Sequence, residues 1–460
     1  MSRQLHLNLF LMSRGHHEGA WRHPKSNHKA LTDLALYVDA AEIAEKAKFD
    51  AVFLADTLAA GNSSGLASTG ALEPIVLLSV LAAHTKKIGL IGTASTTYSL
   101  PYTLARQFAT LDHLSNGRAG WNIVTSWAPE AGANYGLQQN VDHENRYRLA
   151  EEFVEAVDAL WKSFPADAII DDRDGGRYLD RDRVAPANYV GAHYRTKGPL
   201  NVPESPQSRP VYIQAGQSDA GRNFAARWAE AIFTAHMTRE SARTFYSDVK
   251  NRAIGYGRSP DDIVVLPGIS AAIGSTTKEA EQVWEELDAL TSTDVGLTRL
   301  SARFGGHDFS GIPLDRPMVK SDFPDPNTVD ASKSRVIGYV DMTLRENLTL
   351  RQLLRKLAGA RGHFVATGTP DQVADVIEDW FRSGAADGFN VMPPIINSQL
   401  ALFAEEVVPI LQKRGLFRQD YEGKTLREHF GLSELGGIKA DDPRHSPLQA
   451  DVFGETVAML

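Results

Sequence analysis

"LALYVDAAEIAEKAKFDAVFLAD", residues 34–56, decides how the rest of the chain is read. Leu34–Phe49 sets apolar side chains three and four apart, the spacing of one face of an α-helix. Ala51–Ala55 is then a short unbroken apolar run that ends on a carboxylate, Asp56, as a buried strand does before a loop. A helix beside a wholly apolar strand is the unit of a parallel sheet, whose strands are covered on both faces. The same alternation continues in both directions. Strands are predicted at Leu5–Met12, Ala51–Ala55, Ile88–Thr93, Ala119–Thr125, Pro210–Ala215, Ala231–Ala235, Val264–Ile273 and Gly388–Met392, most of them followed by a helical pattern. Eight such units predict an α/β chain folded as a (β/α)8 TIM barrel with insertions in the βα loops. A doubly wound sheet is the rival, and the absence of an early Gly-x-Gly-x-x-Gly turn weakens it.

The 460 residues read as a single barrel domain, 1–460, with insertions near 57–72, 166–209 and 291–343. The first is rich in Gly, Ser and Ala. The second mixes charges in "DDRDGGRYLDRDR" and then turns on prolines, and the third has little periodicity. Such inserts serve as lids or binding loops, and the third reads equally as a subunit contact. A net charge of −9 gives no electrostatic reason to bind nucleic acid or an anionic membrane. With no cysteine, disulfides, thiolate nucleophiles and zinc–thiolate sites are excluded. No apolar run approaches the ~18 residues of a membrane span. "LHLNLFLM" reads as a strand rather than a signal peptide, so a cytoplasmic location is expected.

In a barrel, functional groups stand where strands end. "SRGHHEGAWRHP" follows the first strand with His16, His17 and His23, which lack a coordinating spacing, so no metal is expected. Asp56, Thr96, and the pair Asn122 and Thr125 end the next three strands. "QAGQSDAGRNFAARWA" follows the fifth. There Gly216, Gln217 and Ser218 lead into a helix start, where free N–H groups and the positive helix end suit a phosphate. Helix capping by Ser218 or Asp219 is the commoner use of such a turn. His143 and Tyr147 lie one helical turn apart and share a face, although such a pair more often packs and caps. "GNSSG", Gly61–Gly65, carries a nucleophile-elbow string, but inside a loop, so a hydrolase has little support.

Together "AVFLADTLA", "LEPIVLLSVLAAHTKKIGLIGTASTTYSLPYTLARQFATLDHLSNGRAGWNIVTS", "DHENRYRLAEEFVEAVDALW" and "PVYIQAGQSDAGRNFAARWAEAIF" resemble the bacterial luciferase-like flavin-dependent monooxygenases, in the branch of the nitrilotriacetate and dibenzothiophene-sulfone enzymes. The resemblance implies a barrel that takes reduced FMN (FMNH2) from a separate NAD(P)H:flavin reductase, with O2 as co-substrate. It implies flavin contacts at Asp56, Thr96, His143, Tyr147 and Ser218, with Gln217 in the same turn and Asn122 near the isoalloxazine. Tyr147 and Ser218 would meet at the phosphate. His143 would steer or protonate the oxygenating species, and His17 would be a substrate-side polar group. The implied reaction oxygenates a small S- or N-containing compound and cleaves a C–S or C–N bond. "GHHEGAWRHP" looks more like the branch acting on S-modified N-acetylcysteines. An F420-type oxidoreductase and a non-catalytic flavin-binding barrel remain alternatives, separated by hydride return to a deazaflavin and by O2 consumption. A homodimer or homotetramer is expected.

Overall fold

The computed structural model describes residues 3–27, 29, 31–60, 71–126, 129–138, 141–325 and 333–435. Eight parallel strands form its centre: β1 His6–Phe10, β2 Ala51–Leu54, β3 Gly89–Ser95, β4 Ala119–Val124, β5 Val211–Gln214, β6 Ala231–Thr234, β7 Val264–Ile273 and β8 Gly388–Val391. Each falls on a predicted run. They pair in chain order, and β1 closes on β8 with Leu9 opposite Val391, so the sheet is a closed TIM barrel. Strand alternation sorts the side chains. In "AVFL" of β2, Ala51 and Phe53 join the barrel interior, while Val52 and Leu54 pack beneath the helical shell.

The barrel floor is closed by the chain's own late segment. Leu426, Phe430 and Leu432 belong to the interior cluster. A Cβ on Gly89 would lie 2.4 Å from a Leu426 methyl, so glycine there makes room for this plug. The other end, where strands run into βα loops, is left for chemistry.

The sequence reading missed a side strand, Phe364–Gly368. β7 is long: its lower half pairs with β6, and Ile269–Ile273 pairs with the side strand. β7 therefore stands above the rim near β6.

Among the helices, α1 Leu34–Lys46 is capped by Asp33, and α2 Pro74–His84 and α3 Pro101–Leu114 each begin on a proline. α4 His143–Trp161 is capped by Asp142, and α5 Asp219–Trp228 by Ser218. α6 Arg239–Gly255 and α7 Thr277–Ala289 follow β6 and β7. The insertion near 166–209 forms two small hairpins, Ile169–Asp172 with Arg177–Leu179 and Tyr189–Val190 with Arg195–Thr196. The insertion near 291–343 is more regular than expected: it carries α8 Thr293–Arg303 and most of α9 Lys333–Arg345. Leu300, Phe304, Phe309, Phe323 and Tyr339 build a separate core there with α10 Leu350–Ala360. Packing between segments, not a long amphipathic repeat, holds these helices. "GNSSG" and the rest of 61–70, residues 326–332, and the tail beyond 435 lie outside the described residues. No helix among the described residues is long and apolar enough to cross a membrane.

Candidate functional site

Four neighbouring strand ends, those of β2 to β5, gather most of the predicted residues. Asn122 of β4 faces the barrel interior opposite Thr93 of β3 and is buried. Thr93 Oγ1 donates to the Leu54 carbonyl at 2.8 Å and so accepts from Asn122 Nδ2 at 2.8 Å. That order fixes the amide: Oδ1 is the other end, and it has no hydrogen-bond partner among the described residues. A buried acceptor without a donor costs about 1–3 kcal/mol. A ligand N–H placed here would recover that cost.

Thr96 follows β3, with its backbone N–H 3.0 Å and its hydroxyl 3.3 Å from the Val124 carbonyl. Tyr194, from the second insertion, donates to the Thr96 carbonyl at 3.4 Å, tying that insertion to the rim.

The β5–α5 turn is built around two close approaches. A Cβ on Gly216 would stand 2.5 Å from the Tyr147 hydroxyl oxygen, and one on Gly221 would stand 2.7 Å from it. Only glycine lets the phenol lie on the turn. Gln214, buried at the end of β5, accepts the Gly216 N–H at 2.6 Å and holds the turn in place. Ser218 Oγ accepts the Gly221 N–H at 3.1 Å, so the capping reading holds. Capping uses a lone pair and leaves the hydroxyl hydrogen to donate, so the same serine can also serve a phosphate. The first turn of α5 directs its remaining N–H groups out of the helix end.

Beside this turn runs a chain of hydrogen bonds that sequence reasoning did not find. Ser241 Oγ donates to the Thr238 carbonyl at 3.1 Å, so it accepts from His236 Nδ1–H at 3.0 Å. His236 Nε2 then accepts from the Thr234 hydroxyl at 2.9 Å, and Thr234 accepts from Gln217 Nε2 at 2.6 Å. The Ala235 carbonyl takes a further bond from the same amide at 2.8 Å. Gln217 is thereby held by its Nε2, and its Oε1 takes no hydrogen bond from a described residue. Burial lowers the His236 pKa to about 4, so the relay keeps one direction at neutral pH. The signal was a histidine two residues past a strand end.

Asp56 is half-buried, and its Oδ1 accepts the Thr57 N–H at 2.7 Å. Burial and, to a smaller extent, the Glu73 charge raise its pKa against the pull of that hydrogen bond. His143 is the first residue of α4, one turn before Tyr147; its side chain lies outside the described residues.

His17 is grouped elsewhere. Its Nδ1 accepts the Gly19 N–H at 3.0 Å, so Nε2 carries the hydrogen and faces Asp288 Oδ1 of α7 at 3.2 Å. Its ring lies 5.6 Å from that of Trp284. The structure thus sets Asp56, Thr96, Asn122 and the Gln217–Ser218 turn on the adjacent ends of β2, β3, β4 and β5, lays Tyr147 of α4 on that turn, and sets His17 against α7.

A family model described as luciferase-like monooxygenase matches residues 10–387. The chain is 45% identical to N-acetyl-S-(2-succino)cysteine monooxygenase of Bacillus subtilis (strain 168), over 94% of this chain and 97% of that protein. It is 42% identical to nitrilotriacetate monooxygenase component A of Aminobacter aminovorans, with the same two coverages. Among solved structures, EDTA monooxygenase from Chelativorans sp. BNC1 superposes with a TM-score of 0.81 at 37% identity, covering 94% of this chain and 99% of that one.

Proposed function

The chain belongs to the luciferase-like monooxygenase family, and from that membership we propose that it oxygenates a small sulfur- or nitrogen-containing compound with O2 and reduced FMN, the flavin being reduced by a separate NAD(P)H:flavin reductase. One observation carries the cofactor assignment: an orphaned amide acceptor, Asn122 Oδ1, shares the barrel mouth with a glycine turn on which a phenol rests. The first suits an isoalloxazine N–H and the second a phosphate. When bound, reduced flavin supplies two electrons and activates O2, one oxygen atom going to the substrate and the other to water.

The protein's part is to bind, orient and deliver protons. Tyr147 and Ser218 donate hydroxyl hydrogens to the phosphate, beside the first-turn N–H groups of α5. Asn122 Oδ1 and Gln217 Oε1 act as acceptors fixed by their own hydrogen bonds. Thr96 lines the rim between them and Asp56. Burial raises the Asp56 pKa, so this carboxyl holds its proton to higher pH than an exposed one does. His143 gives a proton to the oxygen that leaves as water. His17 acts on the substrate side through Asp288, which it orients.

The substrate type favoured is an S-substituted N-acetylcysteine. Oxygenation of the carbon bound to sulfur leaves a hydroxyl on that carbon; the C–S bond then breaks, giving a thiol and a carbonyl. The "component A" in the name of the Aminobacter aminovorans relative supports a second, reductase component. The F420-type and non-catalytic alternatives are not favoured, because relatives covering nearly the whole chain are monooxygenases. A cytoplasmic homodimer or homotetramer completes the proposal. Anaerobic titration tests the cycle: reduced FMN should bind more tightly than oxidised FMN, and equal affinity for the two would oppose it.

A further inference from the structure

Above β6 the barrel mouth has a neighbour. Phe233 of β6 belongs to the interior, with Phe10 at 5.2 Å and Phe53 at 5.5 Å between ring centroids. The His363 ring stacks on Phe233, 5.0 Å away with 8° between planes. Gly268 of β7 lacks a side chain where one would meet His363 Nδ1 at 2.4 Å and Met392 Sδ at 2.6 Å. His363 also lines a cavity of about 370 Å3 between the side strand, α7, α9 and α10. The His363 imidazole thus touches the interior aromatic group and lines this cavity.

The cavity is amphipathic. Met237, Trp284 and Met342 give it apolar walls, and Trp284 is fixed by a 2.8 Å bond from its indole N–H to Thr367. Three cations line it, Arg345, Arg355 and Lys356, against two carboxylates, Asp288 and Glu346. Glu346 serves two of the cations, at 3.2 Å from Arg345 and 2.9 Å from Lys356. Asp288 is engaged by the N–H of His17. Arg355 makes no hydrogen bond or ion pair with a described residue. Asp315 feels its charge but is held by Arg351 at 2.7 Å. Arg355 and Asp288 also line a second cavity of about 170 Å3, so they stand where the two meet. The larger volume falls within the ~300–1,000 Å3 of small-molecule sites.

We propose that this cavity seats the carboxylate-bearing end of the substrate, with Arg355 as its anchor and His363 as the partition between the seat and the oxygenation site. The inference rests on the monooxygenase reading above. An uncommitted guanidinium offers a planar donor pair that matches a carboxylate, and the Trp284 and methionine walls take the thioether or alkyl part. His17 becomes a positioning residue: by donating to Asp288 it turns that carboxylate away from an incoming anion.

The test is equilibrium binding, without reductase or O2, of N-acetyl-S-(2-succino)cysteine and of nitrilotriacetate, read by calorimetry and tryptophan emission. Wild type should bind at least one of them, more weakly as salt rises. Arg355→Ala should weaken that binding about ten- to a hundredfold, as expected for losing a charged hydrogen-bond pair. Arg355→Lys should restore part of it, and FMN affinity should not change. Trp284→Phe should abolish the emission change on binding. The proposal is overturned if wild type binds neither compound, if Arg355→Ala binds as wild type does, or if the emission change survives in Trp284→Phe. Turnover separates the two readings. Coupled oxygenation with an unchanged KM in Arg355→Ala removes the seat alone, while binding as described without any O2 uptake removes the monooxygenase reading alone.

Discussion

Adding one methyl group at Gly221 should cost FMN affinity through a residue of a different helix, Tyr147 of α4. The added Cβ would sit 2.7 Å from the Tyr147 hydroxyl oxygen and 3.0 Å from the backbone of Gly216. The first distance is far inside the ~3.5 Å at which non-bonded heavy atoms pack comfortably, so the phenol must swing off the turn. Tyr147→Phe removes the same oxygen chemically. A hydrogen bond to a charged group contributes about 1.5–3 kcal/mol, or roughly ten- to over a hundredfold in affinity. Each single variant should therefore weaken FMN by about that factor. In the Tyr147→Phe background the Gly221→Ala change meets no hydroxyl, only the 3.0 Å contact with the Gly216 backbone, so the double variant should lose less than the two single losses combined. Anaerobic titration of reduced FMN on the four proteins gives the cycle, and reduced riboflavin, which has no phosphate, is the control. Additive losses, or an equal loss for riboflavin, would refute the placing of Tyr147 at the phosphate.

Other consequences follow from the same geometry. Asn122→Leu removes the orphaned acceptor, so it should weaken FMN and riboflavin alike, a pattern opposite to that of Tyr147→Phe in the same titrations. His236→Asn breaks the relay that orients Gln217, and should lower kcat/KM without moving the pH profile above about pH 5, since His236 is already neutral there with its pKa near 4. Burial also depresses His16 to about 3 and His429 to about 4. Each folded-state pKa lies below the unfolded 6.5, so their stabilisation is complete above pH 6.5 and lost as pH falls toward 4. The slope is about 1.4 kcal/mol per pH unit for each histidine. The buried carboxyls of Asp112 and Glu151, whose pKa values burial raises, give an opposite slope toward the acid end of that window. Denaturant melts at pH 5–6.5 should show this loss, and His429→Gln should flatten it by up to one proton.

The barrel was legible because a strand covered on both faces is mostly apolar, and short runs such as "AVFL" and "GFNV", the latter interrupted by the buried Asn390, stand out between amphipathic helices. The side strand was not: "FVATG" carries two partly exposed apolar positions, and among the described residues its strand partner is the upper half of β7 alone. Asn122, Tyr147 and Ser218 were legible as strand-end and helix-start polar groups, with the resemblance supplying their shared target. The relay through His236 was not, because Thr234, His236 and Ser241 acquire meaning only when a turn folds Gln217 beside them. His17 shows the limit most clearly. Its place after β1 fits a rim residue, yet its partner, Asp288, stands 271 positions away.

Oxygen transfer by this barrel is measured most directly by 18O2 labelling with a flavin reductase, NADH, FMN and N-acetyl-S-(2-succino)cysteine or nitrilotriacetate, scored by mass spectrometry. One 18O atom is expected in the oxygenated product, formed together with the cleaved thiol or amine, with little hydrogen peroxide per NADH consumed. Product free of label, with all reduced flavin lost to hydrogen peroxide for both substrates, would contradict oxygen transfer by this barrel.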